Sequence, residues 1–395
     1  MNTSNKRIFV IGAGSTGSST AYHLAKAGAN VTLIDRAIPA SGMTSLSTAI
    51  IRTHYTNEFV ANMALYSRNI LRVLPEAESR FVRSGFLMLV TEEMKDAIRG
   101  NVKKLNRIGA RNEMLDLTEA SKKFPWIDFS GSAYCIWEPE SGYTDPAAIT
   151  NHYVTKAEEM GCGLLTGRTV ARLERTPGSK KIESILFQDG TRLKCDKVIL
   201  CTNVWTNKLL SESGATELLP IRVAPHPVGV FIKPHSLRNA GPVVSDRPNK
   251  AYYRPEGQSL TLVGSLDPQL DEVDINPEDC PRNVPFETIA QFSKAISGRI
   301  PSMQEGEFRS SYFGMYDITP DEHPIIDELS EIGLQDAYCC VGLSGHGFKL
   351  CPALGLMNSE MILETKEGEI EFDRLHFALS RFKEGNLIRT TYPRT

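Results

Sequence analysis

Three glycines near the start of the chain have the spacing of a phosphate-binding turn. Gly12, Gly14 and Gly17 form GxGxxG between an apolar run and a helical segment, and an acid, Asp35, ends the next apolar run, VTLID. In such a unit the first glycine permits a sharp turn, the second lets the backbone approach a pyrophosphate, and the third lets the helix pack against the strand. Asp35 is placed to accept both hydroxyls of an adenosine ribose. The pattern predicts a site for an adenine dinucleotide, either NAD or FAD.

A second glycine-rich turn lies near the other end of the chain. GLSGHGFK, residues 342–349, contains three glycines around Ser344 and His346, and Lys349 stands in the first turn of the helix that follows. Backbone amides, a helix N-terminus and an ammonium group would together stabilise the negative charge of a reduced flavin. The alternative is a glycine-rich connection in which His346 only bonds backbone. Because distant segments of a long chain can enclose an isoalloxazine ring, the two turns together favour FAD.

The elements that must position these turns indicate an α/β protein. Three helices are predicted here. One begins at about Asn57, a second lies in EEMKDAIRGNVKKLNRIG, and a third begins at Pro146 with Asp145 as its N-cap. KVILCT is typical of a strand buried on both faces, and residues 189–190 mark a hairpin turn. From 216 to 315, partly alternating segments between proline-rich loops predict an antiparallel sheet.

This change of pattern predicts two domains. The first is a discontinuous Rossmann-like FAD-binding domain of residues 1–84, 145–215 and 316–395, because a strand, glycine turn and helix return near the end of the chain. The second, residues 85–144 and 216–315, is an α+β substrate-binding domain with a mainly antiparallel sheet.

Composition narrows the class of protein further. The 395 residues include 44 basic and 47 acidic side chains without charge blocks, which gives no electrostatic case for nucleic acid or an anionic membrane surface. The eight cysteines form no CxxC pair, so no metal site is expected. No run approaches the ~18 apolar residues of a membrane span, and the apolar opening is explained as a strand rather than a signal segment. A cytoplasmic protein is the expectation.

Five segments, in their order along the chain, resemble a known family. They are VIGAGSTGSSTAYHLAKAG with LID at the start, STAIIRTHY at 47–55, YYRPEG at 252–257, MYDITPDEHPIID at 315–327 and GLSGHGFKLCPALG at 342–355. The series is similar to the D-amino-acid oxidase superfamily of FAD enzymes, and within it to the sarcosine oxidase group, especially the beta-subunit-like branch. GLSGHGFK joined to TPDEHPIID is quite specific, whereas GxGxxG is informative only at the superfamily level.

The resemblance implies a cationic site for a substrate carboxylate. Arg52 matches the arginine that holds this carboxylate, and Lys349 matches the lysine that shares the task at the flavin edge. A guanidinium binds a carboxylate in a bidentate, charge-assisted geometry, which would hold the reacting C–H over flavin N5. Tyr253 and Tyr316 match aromatic positions lining the substrate cavity, and His346 completes the predicted catalytic set. The alternatives are an ordinary salt bridge for Arg52, a solvated lysine for Lys349, and a place in the core for either tyrosine.

The residues predicted to hold FAD come from four parts of the chain. They are Gly12, Gly14, Ser15, Thr16, Gly17, Asp35, Arg36, Ser45, Thr48, Val170, Thr202, Trp205, Gly342, Gly345, His346, Gly347, Phe348 and Lys349. By the resemblance, Gly12, Gly14, Gly17 and Asp35 hold the ADP half of FAD. Residues 345–349 line the pyrimidine side of the flavin ring. Ser45 and Thr48 belong to the loop beneath the pyrophosphate and ring, and the Val170 backbone meets adenine.

The chain departs from the family pattern in three places. Gly314 stands where monomeric relatives attach the flavin through a cysteine, so FAD is expected to be non-covalent. QSLTLVGSL lacks the lysine with which those relatives activate oxygen, which leaves oxygen or another protein as the electron acceptor. CTNVW replaces the usual AAGAW, so the side chains of Thr202 and Asn203 either crowd the site or add a hydrogen bond.

The resemblance implies an FAD-dependent enzyme that oxidises the C–N bond of a secondary or N-methylated amino acid such as sarcosine or proline. A hydride equivalent would pass from carbon to flavin N5, and the resulting imine would hydrolyse. Three alternatives stay open: a D-amino-acid dehydrogenase, a non-catalytic or electron-transferring flavoprotein subunit of a larger complex, and a nicotinamide-dependent dehydrogenase that shares only the ADP fold. The expected partner is a small amino-acid substrate with a carboxylate, and the second alternative adds partner subunits or an electron-accepting protein.

Overall fold

The computed structural model describes residues 6–237, 241–366 and 373–390. The parts of the predicted domains at 1–5, 238–240, 367–372 and 391–395 lie outside the described residues. The strands are β1 Arg7–Ile11, β2 Asn30–Ile34, β3 Ile50–Ile51, β4 Phe86–Val90, β5 Glu113–Leu115, β6 Tyr134–Glu138, β7 Gly142–Tyr143, β8 Gly163–Leu165, β9 Val170–Arg175, β10 Ile182–Phe187, β11 Arg192–Lys194, β12 Lys197–Leu200, β13 Arg222–Ile232, β14 Val243–Asp246, β15 Ala251–Glu256, β16 Leu260–Ser265, β17 Glu307–Ile318, β18 Ile325–Glu328 and β19 Ala337–Val341. The α-helices are α1 Ser15–Lys26, α2 Glu58–Val73, α3 Glu76–Ser79, α4 Lys95–Arg107, α5 Leu117–Lys123, α6 Pro146–Glu159, α7 Thr206–Glu212, α8 Phe286–Arg299, α9 Gly347–Leu363 and α10 Ser380–Glu384.

One sheet has six strands in the order β18-β19-β12-β1-β2-β8, and all its pairs are parallel except β18 with β19. The interiors of β1, β12 and β19 are apolar because both faces of the sheet are covered. Helices α1, α6 and α9 pack on one face, and β9, β10 and α7 pack on the other. Helix α1 follows β1 directly, at the edge where such sheets bind ligands.

The second sheet has eight strands in the order β17-β13-β16-β15-β14-β4-β6-β5. Every neighbouring pair is antiparallel except β14 with β4, which confirms the mainly antiparallel sheet predicted from the sequence. Helices α5 and α8 cover one of its faces with a separate apolar cluster. The division into domains stays a prediction, and β17 crosses the predicted boundary between residues 315 and 316.

Two helices begin where the sequence predicts them. The Asn57 side chain accepts a 3.1 Å hydrogen bond from Val60 N at the start of α2. The Asp145 side chain accepts hydrogen bonds from the backbone amides of the first turn of α6, with Pro146 as its first residue. Helix α2 packs on α9 and therefore helps to fix the segment before it relative to the C-terminal turn.

The described part of the chain contains neither a candidate membrane span nor a candidate metal site. Within it, no helix combines the length and the apolar character needed to cross a membrane. Within the same residues, no group of three His, Cys, Asp or Glu side chains is arranged to hold a metal ion. All eight cysteines are free thiols.

Candidate active site

A cavity of about 970 Å³ is lined by residues of both sheets. Its walls include the β1–α1 turn, the loop after β2, the segment after β12, strands β13 and β17, and the turn before α9. Small-molecule sites occupy roughly 300–1,000 Å³. A cavity of this volume therefore suits a ligand much larger than one amino acid.

Backbone geometry requires the glycine spacing of the β1–α1 turn. Gly12 has φ +106°, and a Cβ there would lie 2.4 Å from the Cys201 carbonyl oxygen. A Cβ on Gly17 would lie 1.8 Å from the Gly12 carbonyl oxygen, because α1 packs closely on the end of β1. Gly14 precedes α1 without a side-chain cap, and no acidic residue lies in the first turn of the helix. The positive end of α1 therefore suits an anionic group such as a pyrophosphate.

Asp35 holds the chain on the other side of this turn. Its Oδ2 accepts a 2.7 Å hydrogen bond from Ala13 N, and its Oδ1 accepts one of 2.8 Å from Ala37 N. Thr44 Oγ1 accepts a 3.1 Å hydrogen bond from Ser15 N, so the loop after β2 is anchored to the start of α1. The narrow glycine cradle, the helix terminus and the carboxylate fit the pyrophosphate and ribose of an adenine dinucleotide.

Most of the predicted site residues line this one cavity. They are Gly12, Gly14, Ser15, Thr16, Asp35, Arg36, Thr48, Arg52, Val170, Thr202, Trp205, Tyr316, Gly345, His346, Gly347, Phe348 and Lys349. The fold thus brings together residues that are far apart in the sequence, and their individual roles stay predictions. Four predicted residues do not line the cavity, namely Gly17, Ser45, Tyr253 and Gly342.

The prediction that Tyr253 lines the substrate cavity is wrong. Tyr253 is 2 % exposed and lies in the apolar cluster under α8, where its hydroxyl donates a 2.9 Å hydrogen bond to Asp246 Oδ2. Its neighbour Tyr252 lines the cavity instead. Successive side chains of a strand point to opposite faces of the sheet, so a shift of one residue exchanges core for cavity.

Ser45, Gly342 and Gly17 support the cavity without lining it. Ser45 is exposed, and its hydroxyl donates a 2.8 Å hydrogen bond to the Gly42 carbonyl, while Thr44 lines the cavity. Gly342 has φ +66°, and a Cβ there would lie 2.4 Å from Thr319 Cγ2. Gly342 is therefore required by the close packing of the C-terminal turn, as Gly17 is required by the packing of α1.

The turn before α9 presents backbone rather than bulky side chains. Gly345 has φ +76°, and a Cβ there would lie 3.0 Å from Cζ of Tyr316. Helix α9 begins at Gly347 with no acidic residue in its first turn, and Lys349 Nζ donates a 3.2 Å hydrogen bond to the Gly345 carbonyl. The helix terminus and the ammonium group create a positive potential that suits the anionic ring of a reduced flavin.

Arg52 is buried, with 3 % of its surface exposed. Its guanidinium donates to the His54 carbonyl and lies 4.3 Å from the centre of the Tyr55 ring. The Tyr55 hydroxyl lies 3.1 Å from His346 Nδ1. These contacts connect the segment that carries Arg52 to the turn before α9.

A fully buried carboxylate fixes the backbone next to Arg52. Glu138 accepts hydrogen bonds of 2.7 Å from Thr53 N and from Thr53 Oγ1, 3.1 Å from His54 N, and 2.7 Å from Ser141 Oγ. Burial lowers the pKa of His54 to about 4, so this imidazole is neutral near pH 7. These four hydrogen bonds to Glu138 therefore fix the backbone that directly follows Arg52.

An aromatic stack forms the wall contributed by the second sheet. The His226 ring centre lies 4.4 Å from that of Tyr316 and 6.0 Å from that of Tyr252, and His226 Nε2 lies 3.2 Å from the Tyr252 hydroxyl. Tyr316 was predicted from the sequence, whereas His226 and Tyr252 were not. Alternation along β13 and β15 defines two faces of each strand, but only the strand pairing shows which face meets the cavity.

Asp317, which the sequence analysis also missed, supports the C-terminal turn from within. It is 1 % exposed and accepts a 2.6 Å hydrogen bond from Gly342 N, and the nearby Asn203 side chain lowers the pKa of its carboxyl group against the larger effect of burial. Asn203 has φ +49°, a left-handed conformation that Asn adopts more readily than most residues. The asparagine at this departure from the family pattern therefore lies beside a buried carboxyl group and favours its charged form.

Burial raises the pKa of Asp317 to about 6, against an ordinary value of 3.8. Because the folded protein binds this proton more tightly than the unfolded chain does, Asp317 stabilises most below about pH 4, and the contribution is lost as the pH rises through about 6. As the pH rises from about 4 to about 6, wild type should lose about 2–3 kcal/mol of unfolding free energy that Asp317→Asn does not lose. This range follows from about 1.4 kcal/mol per pKa unit. Urea unfolding across this pH range measures the difference, and a constant difference would contradict the assignment.

The fold and the site define a class of protein. A Rossmann-like sheet with a turn of the adenine-dinucleotide type, an antiparallel sheet beside it, and a shared cavity lined by a buried arginine are compatible with a flavoprotein oxidoreductase. The chain belongs to the DAO family, FAD dependent oxidoreductase, whose model matches residues 7–361. It is an FAD-dependent oxidoreductase, and FAD is its cofactor.

Individual relatives agree with this membership. Monomeric sarcosine oxidase from Bacillus sp. (strain B-0618) is 28% identical over 389 residues, covering 95% of this chain and 95% of that protein. FAD-dependent oxidoreductase domain-containing protein 1 from Bos taurus is 25% identical over 420 residues, covering 96% of this chain and 85% of that protein. Among solved structures, L-proline dehydrogenase from P. horikoshii has a TM-score of 0.86 and 26% identity, covering 96% of this chain and 98% of that one. These similarities confirm the predicted resemblance to the sarcosine oxidase group.

Proposed function

We propose that the chain oxidises the C–N bond of a secondary or N-methylated amino acid. The observation that carries the proposal is the buried guanidinium of Arg52 in the cavity that Lys349 also lines. A carboxylate satisfies a buried guanidinium in a bidentate geometry, and the ammonium of Lys349 adds a second positive charge. Two of the relatives described above are named for sarcosine and L-proline, both of which are secondary amines with a carboxylate.

The contribution of the chain is to bind and orient the substrate. Arg52 and Lys349 hold the carboxylate, so the carbon next to nitrogen has one preferred position in the cavity. The stack of His226, Tyr252 and Tyr316 forms a wall that limits the entry of water. Bound FAD supplies the acceptor for a hydride, that is, one proton and two electrons. The amine loses its own proton, a C=N bond forms in the substrate, and water then splits this imine into a carbonyl compound and an amine.

Non-covalent FAD is part of the proposal. Gly314 lines the cavity at the position where monomeric relatives carry the linking cysteine. Among the described residues, the cysteines that line the cavity are Cys201 and Cys340. Burial raises the pKa of the Cys340 thiol to about 12 and that of Cys201 well above its ordinary value, so neither is a ready nucleophile. Denaturation in acid should therefore release the flavin from the protein.

Anaerobic reduction of the holoprotein tests the function. Sarcosine, other N-methyl amino acids, L-proline and D-amino acids are each mixed with the protein, and the flavin absorption at about 450 nm is followed. We expect at least one secondary amino acid to bleach the flavin. If dithionite bleaches it and no amino acid does, the chain is instead a non-catalytic or electron-transferring flavoprotein. Reoxidation by air or by an artificial dye then identifies the class of electron acceptor.

A further inference from the structure

The last segment that the structure describes, residues 373–390, lies beyond residue 361, where the match to the family model ends. It includes α10, and from this helix Arg381 binds the loop that supports the turn before α9. We propose that Arg381 is a positioning residue for the flavin, because it fixes this loop and thereby the turn. The inference goes beyond the proposed function: it concerns the cofactor, rests on the predicted place of the flavin ring at the turn before α9, and requires no particular substrate.

Arg381 is buried and uses all three nitrogens of its guanidinium group. The residue is 4 % exposed. Its Nε and Nη2 donate hydrogen bonds of 2.7 and 3.0 Å to the two carboxylate oxygens of Asp321, and Nη2 also donates one of 3.0 Å to the His323 carbonyl. Its Nη1 donates to two carbonyls of its own segment. A bidentate pair fixes the relative orientation of two planar groups. Arg381 therefore attaches residues 373–390 to the β17–β18 loop, residues 319–324.

Thr319 joins the β17–β18 loop to the turn before α9. Its hydroxyl donates a 2.7 Å hydrogen bond to the His323 carbonyl and lies 3.2 Å from Asp321 Oδ1. Its backbone amide donates a 3.3 Å hydrogen bond to Ser344 Oγ. Gly342 packs so closely on Thr319 that a Cβ there would lie 2.4 Å from Thr319 Cγ2. Because Thr319 and Ser344 are fully buried, a displacement of this loop displaces the turn as well.

The turn before α9 is followed by groups whose effect on a flavin depends on their position. The terminus of α9 and the ammonium of Lys349 stabilise reduced flavin more than oxidised flavin, because only the reduced ring is anionic. The field of a helix terminus falls off within about one turn, so a small displacement weakens it. Without the Arg381 guanidinium, the buried carboxylate of Asp321 loses its charged partner, and the loop must open to let water reach it. We therefore expect loss of Arg381 to destabilise the reduced flavin.

The midpoint potential of the bound FAD tests the inference without an amine substrate. The holoprotein is reduced stepwise with dithionite beside a reference dye, and the absorption of both is followed. We expect Arg381→Met to weaken the binding of reduced flavin at least about tenfold more than that of oxidised flavin, which lowers the potential by about 30 mV or more. Arg381→Lys keeps the charge but not the bidentate geometry, and should show a smaller shift in the same direction.

Arg299→Met is the matched control, because it removes the same kind of interaction elsewhere. Arg299 is also buried, and its guanidinium donates two hydrogen bonds of 2.8 Å to the carboxylate of Asp246. Asp246 also accepts a 2.9 Å hydrogen bond from Tyr253, which lies in the apolar cluster on the face of the second sheet that α8 covers. Arg299→Met should therefore unfold at a lower temperature, as Arg381→Met should, but keep the wild-type potential.

A wild-type potential in Arg381→Met, or an equal shift in Arg299→Met, would overturn the inference. If Arg381→Met does not retain FAD, the same measurement on Arg381→Lys decides, and a wild-type potential in that variant overturns the inference as well.

Lys349→Met should lower the potential directly, because it removes the ammonium group predicted to lie at the flavin edge. A shift in Lys349→Met without one in Arg381→Met overturns the role of Arg381 alone. The absence of a shift in both variants overturns it together with the predicted place of the ring. Failure of the proposed function would give a different result, with no reduction by any amine while the potentials of the variants keep the expected order.

Discussion

The Arg52→Ala holoprotein is expected to bind amino-acid substrates about 100- to 1,000-fold more weakly than wild type. Loss of one partner of a buried, hydrogen-bonded charge pair costs about 2–5 kcal/mol, and this range includes the expected change in dissociation constant. Arg52 is 3 % exposed, so water replaces the lost guanidinium poorly. Anaerobic stopped-flow measurement separates the dissociation constant from the limiting rate of flavin reduction.

Two comparisons distinguish carboxylate binding from a general loss of structure. Arg52→Lys keeps the charge but not the bidentate geometry, and should show an intermediate loss. A secondary amine without a carboxylate should reduce the flavin of Arg52→Ala and of wild type at similar, low rates. Before any amine is added, the oxidised flavin should have the same absorption spectrum in both proteins. Equal dissociation constants for a carboxylate substrate in wild type and Arg52→Ala would remove Arg52 from the substrate site.

The geometry of the β1–α1 turn was predictable because its determinants are local. The roles of Gly12 and Gly17 follow from the path of one β-α-β unit, and Asp35 ends the second strand of that unit. The antiparallel part of the second sheet formed by β13, β15, β16 and β17 was predictable for a similar reason, since these strand-like segments and the proline-rich loops lie in one continuous stretch. Local sequence carries this information without knowledge of distant contacts. Strands β4, β5 and β6 join the same sheet from a distant part of the chain.

The cavity wall formed by the second sheet was harder to predict because it depends on the pairing of distant strands. Tyr252 and Tyr253 differ by one position, and the face that meets the cavity is set by the pairing of β15 with β14 and β16. The family motif places a tyrosine pair there without saying which member faces the ligand. His226 and Asp317 have no local signal, since each becomes a site residue only through packing against the C-terminal turn or its neighbours.

The Gly17→Ala protein is expected to bind FAD about 100-fold more weakly than wild type. A Cβ at this position would lie 1.8 Å from the Gly12 carbonyl oxygen, which belongs to backbone and cannot rotate away. Helix α1 must therefore move away from β1, which displaces the helix terminus and the glycine turn together. Overpacking of this kind costs about 1–3 kcal/mol, and the upper end corresponds to the expected loss of affinity. Titration of the apoprotein with FAD, followed by flavin fluorescence, measures it.

Gly100→Ala provides the same chemical change in another helix. Gly100 lies within α4, where a Cβ would have no atom within 4 Å, so this variant should bind FAD like wild type and unfold at an equal or higher temperature. Far-ultraviolet circular dichroism of both apoproteins shows whether the helices are retained. If Gly17→Ala binds FAD as tightly as Gly100→Ala does, then close contact between α1 and β1 is not what positions the pyrophosphate. If Gly17→Ala alone loses FAD and keeps its helices, then the third glycine acts on the cofactor through the position of α1, although it does not line the cavity.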